Sequence, residues 1–207
     1  MATKDFSISE ALTYGWETFK TNWQFLLVVF VTIIAIGMIP NYLHDWAREN
    51  LPAISFLFSI IGWLVQMVTG IGVVVICLKL VDGKNPKFKD IYSHYNLLLN
   101  YFLGSLLYGL VIIGGLILLI VPGVIWGVKY QYTTHLIVDK KMGPLEAFKA
   151  SGKVTQGYKL KLFYLGLIFI GLTLFGTALF GIGLILVWPV VSLAGTYVYR
   201  KLSPRTK

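Results

Sequence analysis

Long apolar runs alternate with short polar stretches along this chain, and three of the polar stretches carry a helical stripe of their own. The apolar runs cover about residues 24–39, 53–80, 97–121, 124–138, 160–179 and 183–199. About 17–25 apolar residues suffice to cross a hydrocarbon core of ~30 Å. The pattern therefore predicts an all-α integral membrane protein, a single polytopic domain over residues 1–207 with six transmembrane helices arranged as three hairpins. The striped segments lie ahead of the hairpins, at about 7–23, 87–95 and 144–156. In the first, Ile8, Leu12, Trp16, Phe19 and Trp23 recur three or four apart. In the second, Phe88, Ile91, Tyr92 and Tyr95 fall at i, i+3, i+4 and i+7. In the third, Pro144 suits the first helical position, and Leu145, Phe148, Gly152 and Thr155 mark a modest stripe. Such segments lie flat among lipid headgroups, so each hairpin is expected to be preceded by a cytoplasmic amphipathic interfacial helix.

Punctuation and charge set the expected topology. Asn41 to Leu51 reads as a polar loop, Pro52 opens the second run, and Pro189 should kink the sixth. Pro122-Gly123 is either a turn or a kink. If it is a turn, sixteen of the eighteen basic residues, including Lys4, Arg205 and Lys207, fall on one side; Arg48 faces away and Lys129 lies within a run. The positive-inside rule favours the turn and puts both termini in the cytoplasm. Small residues set expectations for packing. Ser105 with Gly109 and Thr173 with Thr177 are the pairs spaced for close helix approach.

Composition removes several function classes. The chain is 57% hydrophobic and 13% charged, against about 25% charged in soluble domains. Cys77 is the only cysteine, so no intramolecular disulfide or paired-cysteine metal site exists. Asp5, Glu10 and Glu17 precede the first run, which lacks a small-x-small cleavage site, so it is expected to stay as a membrane helix. The sequence holds no zinc helix, nucleophile elbow, phosphate loop or intramembrane acidic pair, and no cofactor or metal is expected. Asp90 and His94 are four apart, but two ligands are too few. The net charge of +9 comes from lysines flanking the runs. That placement points to anionic phospholipid headgroups, at ~1 kcal/mol per lysine, rather than nucleic acid. Lys87, Lys89, Lys149, Lys153, Lys159 and Lys161 are the candidate lipid contacts.

Lys129 is the one cation within an apolar run. It is expected to snorkel to the outer interface and pair with Asp45 or Glu49, the acids of that side. A role toward a substrate or ion is the sharper alternative. Gln131, Tyr132 and His135 make the fourth run unusually polar. They either belong to a buried helix that satisfies its polar groups against its neighbours or wall a polar cavity or lipid-headgroup pocket between the runs.

Pro122-Gly123-Val124, Lys129, Asp139, Gly143-Pro144-Leu145-Glu146-Ala147, Ser151, Thr155, Gly157 and Leu162-Phe163 form a pattern. It resembles the glycerophosphoryl diester phosphodiesterase membrane-domain family and is similar to YciC-like bacterial integral membrane proteins. Phe19-Lys20-Thr21-Asn22-Trp23 fits as well. The resemblance implies a bacterial membrane module. It implies no activity, because the phosphodiesterase chemistry of that family resides in a separate soluble domain.

The sequence thus leads to a multi-pass protein of a prokaryotic plasma membrane. Its expected role is non-enzymatic: binding lipid or a protein partner, including a second copy of itself, at the cytoplasmic face. The alternative is a small-solute or ion transporter lined by the polar fourth run.

Overall fold

The computed structural model describes residues 5–178 and 182–203. Lys4, Arg205, Lys207 and the Gly181 part of the last expected turn lie outside the described residues. The described residues are all-helical. They form α1 (Ile8–Thr21), α2 (Trp23–Asn50), α3 (Pro52–Val81), α4 (Leu98–Leu118), α5 (Ile120–Tyr130), α6 (Thr133–Lys140), α7 (Pro144–Val154), α8 (Lys159–Ala178) and α9 (Ile182–Leu202), with two 3-10 turns at Phe88–Ile91 and Tyr95–Leu97. Among the described residues, five stretches are long and apolar enough to cross a membrane: Trp23–Asn50, Pro52–Val81, Phe88–Leu118, Lys159–Ala178 and Gly183–Leu202.

The fourth run departs most from expectation. It is two helices of 11 and 8 residues, α5 and α6, parted at Gln131 and Tyr132. Its polar side chains compete for the backbone: Thr133 Oγ1 donates to the Tyr130 carbonyl at 2.7 Å and the Gln131 amide to Val128 at 3.1 Å. The chain reverses before Pro122, at an extended Leu119 between α4 and α5. Pro122 therefore falls in the first turn of α5, where a missing N–H costs nothing. A Cβ on Gly115 would touch Gly123, Tyr108 donates to the Gly127 carbonyl at 3.0 Å, and Gly104 faces Thr133 and Ile137. These contacts run in opposite order along the two strands of chain, so α4 and α5–α6 are antiparallel.

Two other expectations change. The loop over 41–51 is helical as far as Asn50, leaving Leu51 alone between α2 and α3. Pro40 sits inside α2 against Gly62. It removes a backbone donor, and the Asn41 side-chain amide donates to the Gly37 carbonyl at 3.0 Å. The segment 87–95 contributes a 3-10 turn rather than an interfacial helix. Its Asp90, 3% exposed, accepts from the Lys87 N–H and from Lys79, both at 2.7 Å.

The close approaches also differ from the expected pairs. Gly109 has open space around it, while Thr173 and Thr177 bond their own helix backbone. Helices instead touch at Gly15, Gly72, Gly104, Gly115–Gly123 and Gly176–Gly183. In α1 the buried residues are Ala11, Gly15 and Phe19, whereas Trp16 and Trp23 of the sequence stripe are about half exposed. The small face docks because it lets backbones approach.

These contacts arrange three units in a ring. The first is α1–α3, the second runs from Phe88 through α4 to α6, and the third is α7–α9. The leading segment of each unit packs on the returning helix of the unit before: the Phe88–Ile91 turn on α3, α7 on α5 and α6, and α1 on α9. The outgoing helices repeat the pattern, with α4 on α3, α8 on α5 and α2 on α9. The same unlike surfaces meet three times and the third contact closes on the first, as in a ring of subunits.

The returning helices end in tight backbone. Gly83 (φ 67°) follows α3, and Lys141 (φ 53°) follows α6. A left-handed conformation costs a non-glycine residue about 1–2 kcal/mol. Lys141→Gly is therefore expected to raise the melting temperature of the detergent-solubilised protein by a few degrees, as read by intrinsic fluorescence.

Candidate functional site

The helix break is where the site begins. A continuous helix would bond the Lys129 carbonyl internally; at the break it is left free. Two hydroxyls of the α7 segment take over. Thr155 Oγ1 donates to the Lys129 carbonyl at 2.9 Å and Ser151 Oγ to the same oxygen at 3.2 Å. Ser151 Oγ also accepts the Tyr132 N–H at 3.2 Å. Both hydroxyl residues are fully buried, as is Ala147 one turn earlier. So α7 is fastened to the break, and its position follows from it.

This fastening gathers lysines. With α7 in place, Lys129, Lys149, Lys153 and Lys159 line one cleft of about 800 Å³, together with Gln156. Its apolar side includes a stacked ring pair, Tyr130 and Phe148, with centroids 3.7 Å apart. The Lys129 amine lies 4.7 Å from the Tyr130 ring centre, within cation–π range. Its stem crosses α7 at Gly152, where a Cβ would stand 3.2 Å from Lys129 Cε.

Two other lysines are neutralised. Lys161 pairs with Asp5 at 2.5 Å and Lys201 with Glu10 at 3.1 Å. The Tyr197 hydroxyl also donates to Glu10, and these two partners hold the Glu10 carboxyl below its usual range. That contribution is intact at neutral pH and is lost as the pH falls through the lowered value. Among the described residues, the four cleft lysines are in no ion pair.

A second groove adjoins the cleft. Val128, Val124, Ile125 and Ile120 of α5 face Leu160 and Phe163 of α8 across about 330 Å³ of almost wholly apolar space. Lys159 lines both. The groove follows ~12 Å of α5, at 1.5 Å per residue.

The expected outward pairing of Lys129 does not form. Asp45 and Glu49 lie exposed in the last turns of α2, beside Leu51, whereas Lys129 is packed under α7. The sequence stripe could not say which neighbour would lie over Lys129. Of the other candidates, Gln131 spends its amide on its own helix, while Tyr132 is buried against Tyr199. His135 packs between the rings of Tyr132 and Tyr199, with Nε2 3.5 Å from Thr196 Oγ1. Lys87 and Lys89 are exposed on the second unit and do not line the cleft.

Sequence reasoning did not find the polar knot that holds the three returning helices. Arg200 of α9 makes a two-pronged contact to Asp139 of α6, each prong 2.9 Å. It reaches Asp82 at the end of α3 through Nε at 3.0 Å and Nη2 at 3.1 Å. Tyr199 donates to Asp139 at 2.8 Å. The arginine side chain is 13% exposed and both carboxylates 9%. One signal was available: Val81-Asp82 and Val138-Asp139 each end an apolar run with an acid, and a proline follows within five residues.

Arg200→Met strands two nearly buried carboxylates and is expected to destabilise the protein by about 3–5 kcal/mol. Adding Asp82→Asn and Asp139→Asn should recover part of that loss, measured by thermal unfolding in detergent. Ser151→Ala removes a buried donor and acceptor and is expected to cost about 1–3 kcal/mol.

Comparison with known proteins adds relatives without an assigned role. A family model described as "Protein of unknown function (DUF975)" matches residues 105–206, which include the cleft, Asp139 and Arg200. Two uncharacterized proteins, Mb2590 of Mycobacterium bovis and Rv2560 of Mycobacterium tuberculosis, are each 27% identical to the chain, covering 98% of it and 70% of their own length. No solved structure matches. The chain is thus similar to an uncharacterised bacterial family over its second half, and to uncharacterized mycobacterial proteins over nearly all its length.

Proposed function

We propose that this protein is a non-enzymatic integral membrane protein that holds an anionic phospholipid at its cytoplasmic face. The observation that carries this reading is the cleft of four unpaired lysines opening beside an apolar groove. Cations with no carboxylate partner repel one another, and an anionic headgroup relieves that repulsion. The adjoining groove offers an acyl chain the surface it needs. Lysines near an anionic leaflet contribute about 1 kcal/mol each.

In this reading the chain crosses the plasma membrane six times. The fourth crossing is shared by α5 and α6, since each alone is shorter than the ~17 residues a span requires. Both termini lie in the cytoplasm with the basic residues. The likeness to the phosphodiesterase membrane-domain family, on residues 121–163, belongs to this reading and brings no activity with it. Transport through the fourth run has less support, because Tyr132 and Thr133 are buried in protein and Gln131 bonds its own helix.

Native mass spectrometry of the delipidated protein tests the binding. Phosphatidylglycerol is expected to bind at least about fivefold more tightly than phosphatidylcholine, and Lys149→Gln with Lys153→Gln to abolish the difference. Equal binding of the two lipids, or liposome flux of a small ion that vanishes on Gln131→Ala, overturns this reading. A cysteine placed at Lys149 in a Cys77→Ser background is expected to resist a membrane-impermeant maleimide added outside intact cells; labelling there would reverse the orientation.

A further inference from the structure

We infer that the cleft selects a lipid whose headgroup ends in a phosphate, a phosphomonoester or diphosphate, with one of its chains in the α5–α8 groove. This rests on the lipid-binding reading and narrows it to one class of headgroup.

Charge is the first reason. A phosphodiester lipid brings a single negative charge to four ammonium groups. A terminal phosphate brings between −1.5 and −2 near neutral pH, as a phosphorylated side chain does, and a diphosphate more. Only the latter two approach the charge the cleft presents. Lys161 and Lys201 do not share the load, since they already pair with Asp5 and Glu10.

Geometry is the second. Lys129 is not a free surface lysine. Its stem is held between the α7 backbone at Gly152 and the Tyr130 ring, so its amine is placed in advance. It stands at the back of the cleft, with Lys149, Lys153 and Lys159 more exposed around it. A terminal phosphate has three free oxygens and can meet cations from several sides. A diester has two, and its second substituent would have to pass among the lysines. The Gln156 amide adds an uncharged donor to the same wall.

Continuity is the third. The apolar groove starts at Val128, next to Lys129 in sequence, and shares Lys159 with the cleft. A molecule with its phosphate among the lysines therefore has its chain directed along α5 toward Ile120. Free inorganic phosphate would use the cleft but leave the groove empty.

The full chain in detergent, titrated by native mass spectrometry, separates these cases. Dioleoyl phosphatidic acid and dioleoyl phosphatidylglycerol have the same chains and differ in whether the phosphate is terminal. Phosphatidic acid is expected to bind at one site, at least about fivefold more tightly. Lys129→Gln should remove that preference, weakening phosphatidic acid by at least about tenfold and phosphatidylglycerol by no more than the roughly fivefold that one lysine contributes. Val124→Trp, which fills the groove, should weaken both lipids. Each variant is first checked for an unchanged melting temperature, and Gly152→Val, which crowds Lys129 without removing charge, serves as a second variant and should also erase the preference. Equal binding of phosphatidic acid and phosphatidylglycerol, or two phosphatidylglycerol molecules per chain in place of one phosphatidic acid, overturns the headgroup assignment and leaves the anionic-lipid reading standing. Failure of both lipids to exceed phosphatidylcholine overturns both. Displacement of phosphatidic acid by equimolar inorganic phosphate shows that the cleft takes the free ion and overturns the lipid assignment.

Discussion

One guanidinium group sits between two carboxylates where three helices end. Arg200 can satisfy Asp82 and Asp139 together only if α3, α6 and α9 finish at the same place. A buried ion pair adds little net stability over an apolar core, but breaking it leaves a stranded charge. The knot therefore acts mainly against alternatives: a slip of any one helix by a residue would carry its charge away from the others. With the ends of the returning helices fixed, the segments packed on them are fixed too.

The cleft follows from that constraint through the helix break. The fourth run parts at Gln131 and Tyr132, where the Gln131 amide and the Thr133 hydroxyl take backbone carbonyls, and the knot holds α6 on the far side of the break. The freed Lys129 carbonyl requires a donor, and Ser151 and Thr155 supply it. That requirement brings α7, with Lys149 and Lys153, against the one cation of the apolar run. Gly152 leaves the room in which the Lys129 stem lies. The basic site is thus a by-product of satisfying one backbone oxygen.

Part of this was legible in the sequence. Long apolar runs are helices because in hydrocarbon the chain must bond to itself, and residues 53–80 or 160–178 offered no competing signal. The departures have local causes. Pro40 and the charged residues after it look like a loop, yet a helix packed in a hairpin, with Pro40 against Gly62, tolerates one missing donor. The stripe Phe88, Ile91, Tyr92, Tyr95 suits an α-helix, but Asp90 turns back to the Lys87 N–H and tightens the segment. The α1 stripe was right in part: Phe19 is buried and Ile8 and Leu12 pack on the core, whereas Trp16 stays half exposed and the closest approach is made by Ala11 and Gly15. Lys129 and Arg200 were visible only as charges beside apolar runs. Their partners come from segments 22–26 and 61–118 residues away, and no local spacing specifies those.

The ring has a temporal side. Of the described helices α1 is made before the others, yet its seat is α9, the last helix described. The outgoing helix α2 likewise leans on α9. Until α9 has been made, α1 must wait with its small-residue face uncovered, while the second and third units find their seats as they emerge. Among the described helices, the contact that spans the greatest stretch of polypeptide is therefore the final one to form, and a chain interrupted before α9 leaves α1 undocked.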